Sequence, residues 1–281
     1  MKFVRYVRRN PTLIVGLALL LFLFLFTLIG HLVLDLDQAY PLRAPAAQPP
    51  SPEHPFGTDD HGRDLLTVAV RGTYLTIRIG FTAGIIALAI GTFLGFLSAF
   101  VGGKVDSFIR WVVDVLITVP GLVVLIVIAT ILKKGLTVAA MALVIALMAW
   151  MWPTRIIRSQ VLSLRERGFV RVARLSGQGT VRIIVAELMP NLLPFLGAAL
   201  VGAMMGGVFS AIGLEVLGLG SQREPTLGMT IFWLMTYSAF MRGMWWWIAA
   251  PVGILIILFV GLFLTSKGLD ELANPRLRRQ A

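Results

Sequence analysis

The stretch WPTRIIRSQVLSLRERGFVRVARLSGQGTVRIIVAELMPNLLP, Trp152 to Pro194, is basic and helix-forming, and it lies between two long apolar segments. What flanks it fixes the solvent. Hydrophobic residues make up 57% of the chain and charged residues only 14%, and the mean hydropathy is +0.86. A water-soluble globule would leave such apolar segments exposed, so the chain reads as an integral membrane protein. A helix crossing the hydrocarbon needs roughly 20 apolar residues, and six segments qualify, at about 11–34, 75–101, 108–132, 136–153, 191–218 and 246–266. Backbone amides in lipid have no water partner, so all six are expected to be helices. The runs are continuous rather than alternating with period two, which argues against a barrel. The expected fold is all-α, with six transmembrane helices and a structured polar segment between spans four and five.

The first span has an apolar run too long for a signal peptide and no small-residue cleavage site after it, so it is expected to be a retained anchor. Cysteine is absent, which removes disulfides, thiolate metal sites and thiol catalysis together. The basic residues set the orientation. With the N-terminus inside, 17 of the 25 Lys and Arg fall on the cytoplasmic side: Lys2, Arg5, Arg8, Arg9, Lys104, Arg110, the run from Arg155 to Arg182, Lys267, Arg276, Arg278 and Arg279. Because this charge flanks apolar spans, bilayer headgroups explain it better than nucleic acid does. Both termini are therefore expected in the cytoplasm.

Between the first two spans, Asp35 to Arg71 is polar and contains six of the fourteen prolines, from Pro41 to Pro55. Proline fixes φ and removes a donor, so this stretch is expected to run extended, as a linker. Beyond it, in HPFGTDDHGRD, Thr58 or Asp59 is placed to cap a short interfacial helix leading into span two. His54, His61, Asp59, Asp60 and Asp64 resemble metal ligands in type, but a turn followed by a helix does not make them converge, and no metal is assigned.

Small residues recur every fourth position within the spans. In span two they are Ala83, Ala87, Gly91, Gly95 and Ala99; in span five Ala198, Gly202, Gly206 and Ser210 form one ridge, and Ala199, Ala203, Gly207 and Ala211 another. Such ridges let backbones approach closely. They serve either static packing or sliding between two packed states. Carboxylates inside the spans are few, Asp114 and Glu215, and neither a midplane site nor repeated halves are visible, which disfavours an ion-coupled secondary transporter or a channel.

The chain carries no motif to power transport itself. No GxxxxGK[ST] occurs, and Thr265-Ser266-Lys267-Gly268 lacks the upstream glycine. Energy must come from a partner, and the segment after span four suits one. From Arg165 to Ser176, Phe169, Val172 and Ala173 are expected on one helical face, with Arg167, Arg171 and Arg174 on another. Gly177 and Gly179 then end the helix and turn the chain. A short helix held across the membrane surface is suited to dock into a groove on another protein; the alternative is a basic surface helix on anionic lipid.

Residues 152–194 resemble the cytoplasmic coupling segment of ABC-importer inner-membrane permeases, whose signature is EAA, three residues, then Gly, with a later proline. Ala173, Gly177 and Pro190 match it, and Trp152-Pro153, Arg158, Leu162 to Glu166 and Asn191 fit the surrounding pattern. The likeness is strongest to the second permease subunit of the dipeptide, oligopeptide and nickel importers. It extends over nearly the whole chain, through His54-Pro55-Phe56-Gly57-Thr58-Asp59-Asp60, Gly62-Arg63-Asp64, Gly102-Gly103, Val105-Asp106, Asp114, Pro120, Leu217-Gly218-Leu219-Gly220, Leu269 and Asn274-Pro275-Arg276. Arg171 and Val172 depart from the signature's Glu and first Ala, so docking is expected to rest on shape and Arg charge.

The resemblance implies a type I ABC importer permease. Its organisation would be a cytoplasmic N-terminus with a first span at 1–34, an extracytoplasmic Pro-rich loop with an interfacial helix at 35–74, a permease core at 75–266 with its coupling segment at 154–190, and a cytoplasmic tail at 267–281. Its partners would be a second homologous permease, two cytoplasmic ATPases and an extracytoplasmic solute-binding protein, and the chain itself would lie in the cell inner membrane. No cofactor would bind this chain; ATP and Mg would sit on the ATPases. ATPase coupling would fall on Arg167, Phe169, Arg171, Val172, Ala173, Arg174 and Gly177. The translocation path would involve Met204, Met205, Phe209 and Glu215, with the loop Ser221 to Trp247, although the triple Trp245-Trp246-Trp247 also suits an interfacial belt. The solute is expected to be a di- or oligopeptide, with a nickel chelate or oligosaccharide as alternatives.

Overall fold

The computed structural model describes residues 10–131 and 136–273. The basic residues of 1–9, Lys133, Lys134 and the Asn274-Pro275-Arg276 match lie outside them. The described residues form helices α1 (Pro11–Val33), α2 (Leu65–Val101), α3 (Gly103–Thr118), α4 (Gly121–Ile131), α5 (Val138–Ala149), α6 (Met151–Arg165), α7 (Gly168–Leu175), α8 (Thr180–Val216), α9 (Leu227–Thr236) and α10 (Trp245–Ala273). Four helices, α1, α2, α8 and α10, are each long and apolar enough to cross a membrane. The third and fourth spans are bent pairs instead: α3 and α4 meet at 80°, α5 and α6 at 45°. Proline explains both breaks. Val119 precedes Pro120 and takes the extended conformation that a following proline imposes, and Pro153 sits in the first turn of α6, where its missing N–H leaves no bond unmade.

Span two starts ten residues earlier than hydropathy indicates. Asp64, rather than Thr58 or Asp59, is the N-cap, accepting from the Thr67 N–H at 2.8 Å, and the helix runs unbroken from Leu65 to Val101; a short 3-10 helix spans Leu36–Ala39, and no separate helix lies between Thr58 and Asp64. Helix α2 is the axis of the bundle, in contact with α8, α6 and α5. Its small residues are the reason. A Cβ on Gly91 would lie 2.5 Å from the Pro153 Cβ, and one on Gly95 3.0 Å from the Arg158 backbone nitrogen, so α6 lies directly on this ridge. A Cβ on Gly84 would lie 2.9 Å from the Met204 nitrogen, so α8 packs there as closely. α10 in turn packs against α1 and α8.

Near its start α8 contains a π-helical turn, Ile183–Leu188. It immediately precedes Pro190, which has no N–H to bond the carbonyl of Ala186, and a wider turn is one way to take up that lost register. At its other end α8 closes with Gly218 at φ +77°. Leu219 donates to Leu214 O at 3.1 Å and Gly218 to Glu215 O at 2.8 Å, the paired bonds of a Schellman cap. Leu219 O then accepts from Leu136 N at 3.2 Å, so the Leu217–Gly220 stretch tethers the end of span five to the start of α5.

The proline-rich segment between α1 and α2 is folded onto the bundle rather than free. Asp59 accepts from Arg63 Nε at 2.5 Å and from the His61 and Arg63 backbone amides, while Asp64 also bonds His54 Nδ1 at 2.8 Å. The residue types that resemble metal ligands thus bond one another and the backbone. Trp246 Nε1 donates to Thr58 O at 3.3 Å, and Arg242 donates to Asp60, fixing the segment to the first turn of α10 and the loop before it.

Candidate functional site

Helix α7 is an amphipathic crosspiece between α6 and α8. Val170 and Ala173 are buried against Ile157 and Val161 of α6 and Ile183, Leu188 and Leu192 of α8. Phe169, Val172 and Leu175 are exposed. This corrects the expected grouping: Ala173 does not share a face with Phe169 and Val172 but anchors the helix with Val170. An eight-residue helix with apolar residues at 169, 170, 172, 173 and 175 offers two stripes, and the neighbours on both sides reach only the 170/173 stripe. Arg167 occupies the N-cap position without a side-chain bond, and Arg171 lies on the surface, 3.8 Å from Glu166.

The helix ends on the same device as α8. Gly177 has φ +76°; Gln178 donates to Ala173 O at 3.1 Å and Gly177 to Arg174 O at 3.0 Å, again a Schellman cap. The signature glycine is there because an L side chain is unfavourable at that φ, not for want of space, since nothing lies within 4 Å of a Cβ there. Gly179, with φ −69°, serves instead as the N-cap of α8.

Above α7, a clasp joins α6 to the corner between α2 and α3. Arg158 donates to both oxygens of Asp106, from Nε at 2.6 Å and Nη2 at 2.7 Å. Ser98 donates to Asp106 as well, and Arg165 Nη1 reaches the Ala99 carbonyl in the last turn of α2 at 2.5 Å. The pair was missed as a functional unit because its members lie 52 residues apart; the sequence marks each one separately.

A cavity of about 530 Å³ opens beside α8. Ala198, Gly202, Gly206 and Ser210 form one wall, facing Leu122 of α4, Met148 of α5, Trp152 of α6 and Asp270 of α10. The two ridges of span five both reach this cavity in their first half, where Ala199 and Ala203 line it beside Ala198 and Gly202, and they part only from Gly206 onward. Gly207 and Ala211 pack on α2 at Gly80 and Ala83, whereas Gly202 and Gly206 face open space. None of Met204, Met205, Phe209 and Glu215 lines this cavity. Met204 packs on Gly84, Met205 is half-buried among α10 residues, and Phe209 is exposed with its ring edge-on to Phe259. Glu215 is buried under Gly220 and Gly228, beside the Thr226 hydroxyl. Asp114 is exposed, 3.7 Å from Arg155. The tryptophan triple divides: Trp247 is fully buried with Leu65 and Leu234, Trp246 bonds the outer segment, and Trp245 is exposed.

Apolar spans around a cavity walled by small side chains, with an amphipathic helix laid across one end, define a transport permease of the type I importer fold. The chain belongs to the family described as binding-protein-dependent transport system inner membrane component, which matches residues 91–279. Its relatives include the dipeptide transport system permease protein DppC of Bacillus subtilis (strain 168), 28% identical over 98% of this chain and 85% of that protein. The oligopeptide transport system permease protein OppC of Mycobacterium tuberculosis (strain ATCC 25618 / H37Rv) is 31% identical over 98% of this chain and 94% of that protein. A chain of the inward-facing MetNI methionine ABC transporter shares the fold, with a TM-score of 0.57 at 18% identity, covering 75% of this chain and 97% of that one.

Proposed function

We propose that this permease forms half of a translocation path for di- or oligopeptides, handed to it by an extracytoplasmic binding protein and driven by ATPases that dock on residues about 165–178. A second homologous permease would complete the path, and two ATPase subunits would hold ATP and Mg, this chain binding neither. The observation that carries the reading is α7: Val170 and Ala173 are buried against the spans while Phe169, Val172, Leu175 and the guanidinium of Arg171 project outward. A helix so anchored can pass force inward without losing its own contacts. The peptide assignment rests on the names of the relatives, DppC and OppC, which the chain matches over 98% of its length.

In this reading Arg167, Arg174 and Gly177 shape the docking surface, and Ala173 supports it from behind. The domain limits follow the same scheme, with both termini and α7 on the cytoplasmic side and 35–74, which includes the first turns of α2, outside. The cavity wall of Gly202, Gly206 and Ser210 joins Met204, Met205, Phe209 and Glu215 as the candidate path, the latter four acting from the outer half of α8. The test is Val172→Asp together with Leu175→Asp in the complete assembly, reconstituted in proteoliposomes with its binding protein. Both positions are exposed, so the fold should survive. Peptide uptake is expected to fall at least about tenfold, the equivalent of roughly 1.4 kcal/mol of lost docking energy. Undiminished coupled uptake at normal assembly would overturn the assignment.

A further inference from the structure

We infer that a pocket between α3 and α6 is a binding site for the phosphate of an anionic phospholipid headgroup. Arg110 of α3 and Arg155 and Arg158 of α6 converge on a pocket of about 230 Å³, with Ile109 and Val113 as its apolar side. Two carboxylates lie among these three cations. Asp106 is already held by Arg158 through both oxygens and by Ser98, and Arg110 approaches it only at 3.3 Å. Asp114 meets Arg155 at 3.7 Å, with both side chains more than half exposed to solvent, a pair too loose to occupy either group. A guanidinium has five N–H donors. Arg158 donates to Asp106 from Nε and Nη2 alone, so its Nη1 and most of the Arg110 and Arg155 donors remain for an anion, and the positive surplus of one charge favours it.

The surroundings decide which anion. Phe108 and Trp111 are exposed, at 63% each, on α3, one of the two helices that build the pocket. Aromatic rings beside arginines mark the headgroup level of a bilayer, and basic pockets between membrane helices suit lipid phosphates. An anion arriving there would carry apolar chains that fit the rings and the Ile109/Val113 side. Bound, its phosphate would bridge Arg110 and Arg155, adding a second link between α3 and α6 beside the Asp106–Arg158 pair. This inference goes beyond the transport reading and does not depend on the solute.

The test uses the complete purified transporter in nanodiscs of phosphatidylcholine doped with phosphatidylglycerol, with the lipids retained after detergent transfer counted by native mass spectrometry. Phosphatidylglycerol should be retained in preference to phosphatidylcholine. Arg155→Gln and Arg110→Gln should each lower that retention about fivefold, the effect of one basic residue near a charged headgroup. Lys267→Gln, an equal charge change on α10, should leave it unchanged, and millimolar inorganic phosphate should not displace the lipid. Equal retention of the two lipids, an equal loss in Lys267→Gln, or displacement by inorganic phosphate would each overturn the site. Peptide uptake by the same transporter reconstituted in proteoliposomes reports separately on the importer reading.

Discussion

Arg158 and Asp106 face each other as a bidentate pair, with Nε and Nη2 donating at 2.6 and 2.7 Å to the two carboxylate oxygens. The pair ties the middle of α6 to the first turn of α3, about two turns before α6 gives way to α7. Together with the Arg165 bond to Ala99 O, it makes the end of α2, the start of α3 and the second half of α6 a single unit. In the proposed coupling role, a push on α7 would reach the bundle axis through charged bonds as well as through apolar contacts.

Asp106→Asn should destabilise the permease by about 1–3 kcal/mol, the range for a lost hydrogen bond to a charged group. Arg158→Lys should recover little of it, because a lysine ammonium cannot reproduce the planar fork. Thermal unfolding of the purified complex would check both. If Arg158→Lys matches the wild type, the bidentate geometry contributes nothing.

Gly177→Ala should cost about 1–2 kcal/mol through backbone strain alone, since the position is open but its φ is +76°. The effect should appear as faster hydrogen exchange at the amides of residues 173–178, with the rest of α6 and α8 unchanged. Gly177→Asn should show a smaller effect, asparagine tolerating that conformation better.

Much of this architecture is legible in the sequence, and what is not has identifiable causes. Continuous apolar runs reveal the spans, because lipid demands them. Hydropathy misses the true start of α2 because Thr67, Arg71 and Thr73 dilute the first turns; the signal present was Asp64 followed three residues on by Thr67, a cap reading. The breaks of spans three and four depend on Pro120 and Pro153, visible as prolines but not as angles. The two stripes of α7 are equivalent by periodicity, and only the side chains of α6 and α8 choose between them. The docking of Trp246 on Thr58 links positions 188 residues apart, which no local pattern encodes. Equally hidden was the point where the two span-five ridges part, Gly207 and Ala211 packing on α2 while Gly206 and Ser210 line a cavity.

Gly91→Ala and Gly202→Ala should behave oppositely. At Gly91 a Cβ would press on the Pro153 side chain and the Thr154 backbone, and overpacking of this kind costs typically about 1–3 kcal/mol. Gly202 has nothing within 4 Å of a Cβ, so its variant should assemble with unchanged thermal stability. Equal losses in the two variants would mean that the Gly202 face is packed rather than open.

His61 gives the outer segment a pH dependence. Burial, and after it the charge of Arg63, hold its imidazole below the ordinary value of 6.5, while Trp233 and Tyr237 meet it edge-on. With the folded value depressed, the unfolded chain takes up the proton first as pH falls. The stabilisation is therefore complete above about pH 6.5 and is lost progressively below it. Lowering the pH from about 7.5 to about 5.5 should reduce the melting temperature of the wild type more than that of His61→Phe.

The chain contains no cysteine, so the candidate path can be mapped by single cysteines without a background substitution. Gly206 and Ser210 line the cavity, and Ala211, on the adjacent ridge of the same helix, is fully buried against α2. Gly206→Cys and Ser210→Cys should therefore react with a small charged thiol reagent in the assembled transporter, and Ala211→Cys should not, although 210 and 211 are consecutive. A depth effect alone cannot produce that contrast, because neighbouring residues on a helix differ by only about 1.5 Å along its axis. Cysteines at Met204 and Met205 test the outer half of the proposed path in the same experiment. Reactivity there that rises when the binding protein and ATP are added would bring those residues to the path in an outward-open state. Uniform inertness from 204 to 210 in every state would instead remove α8 from the path.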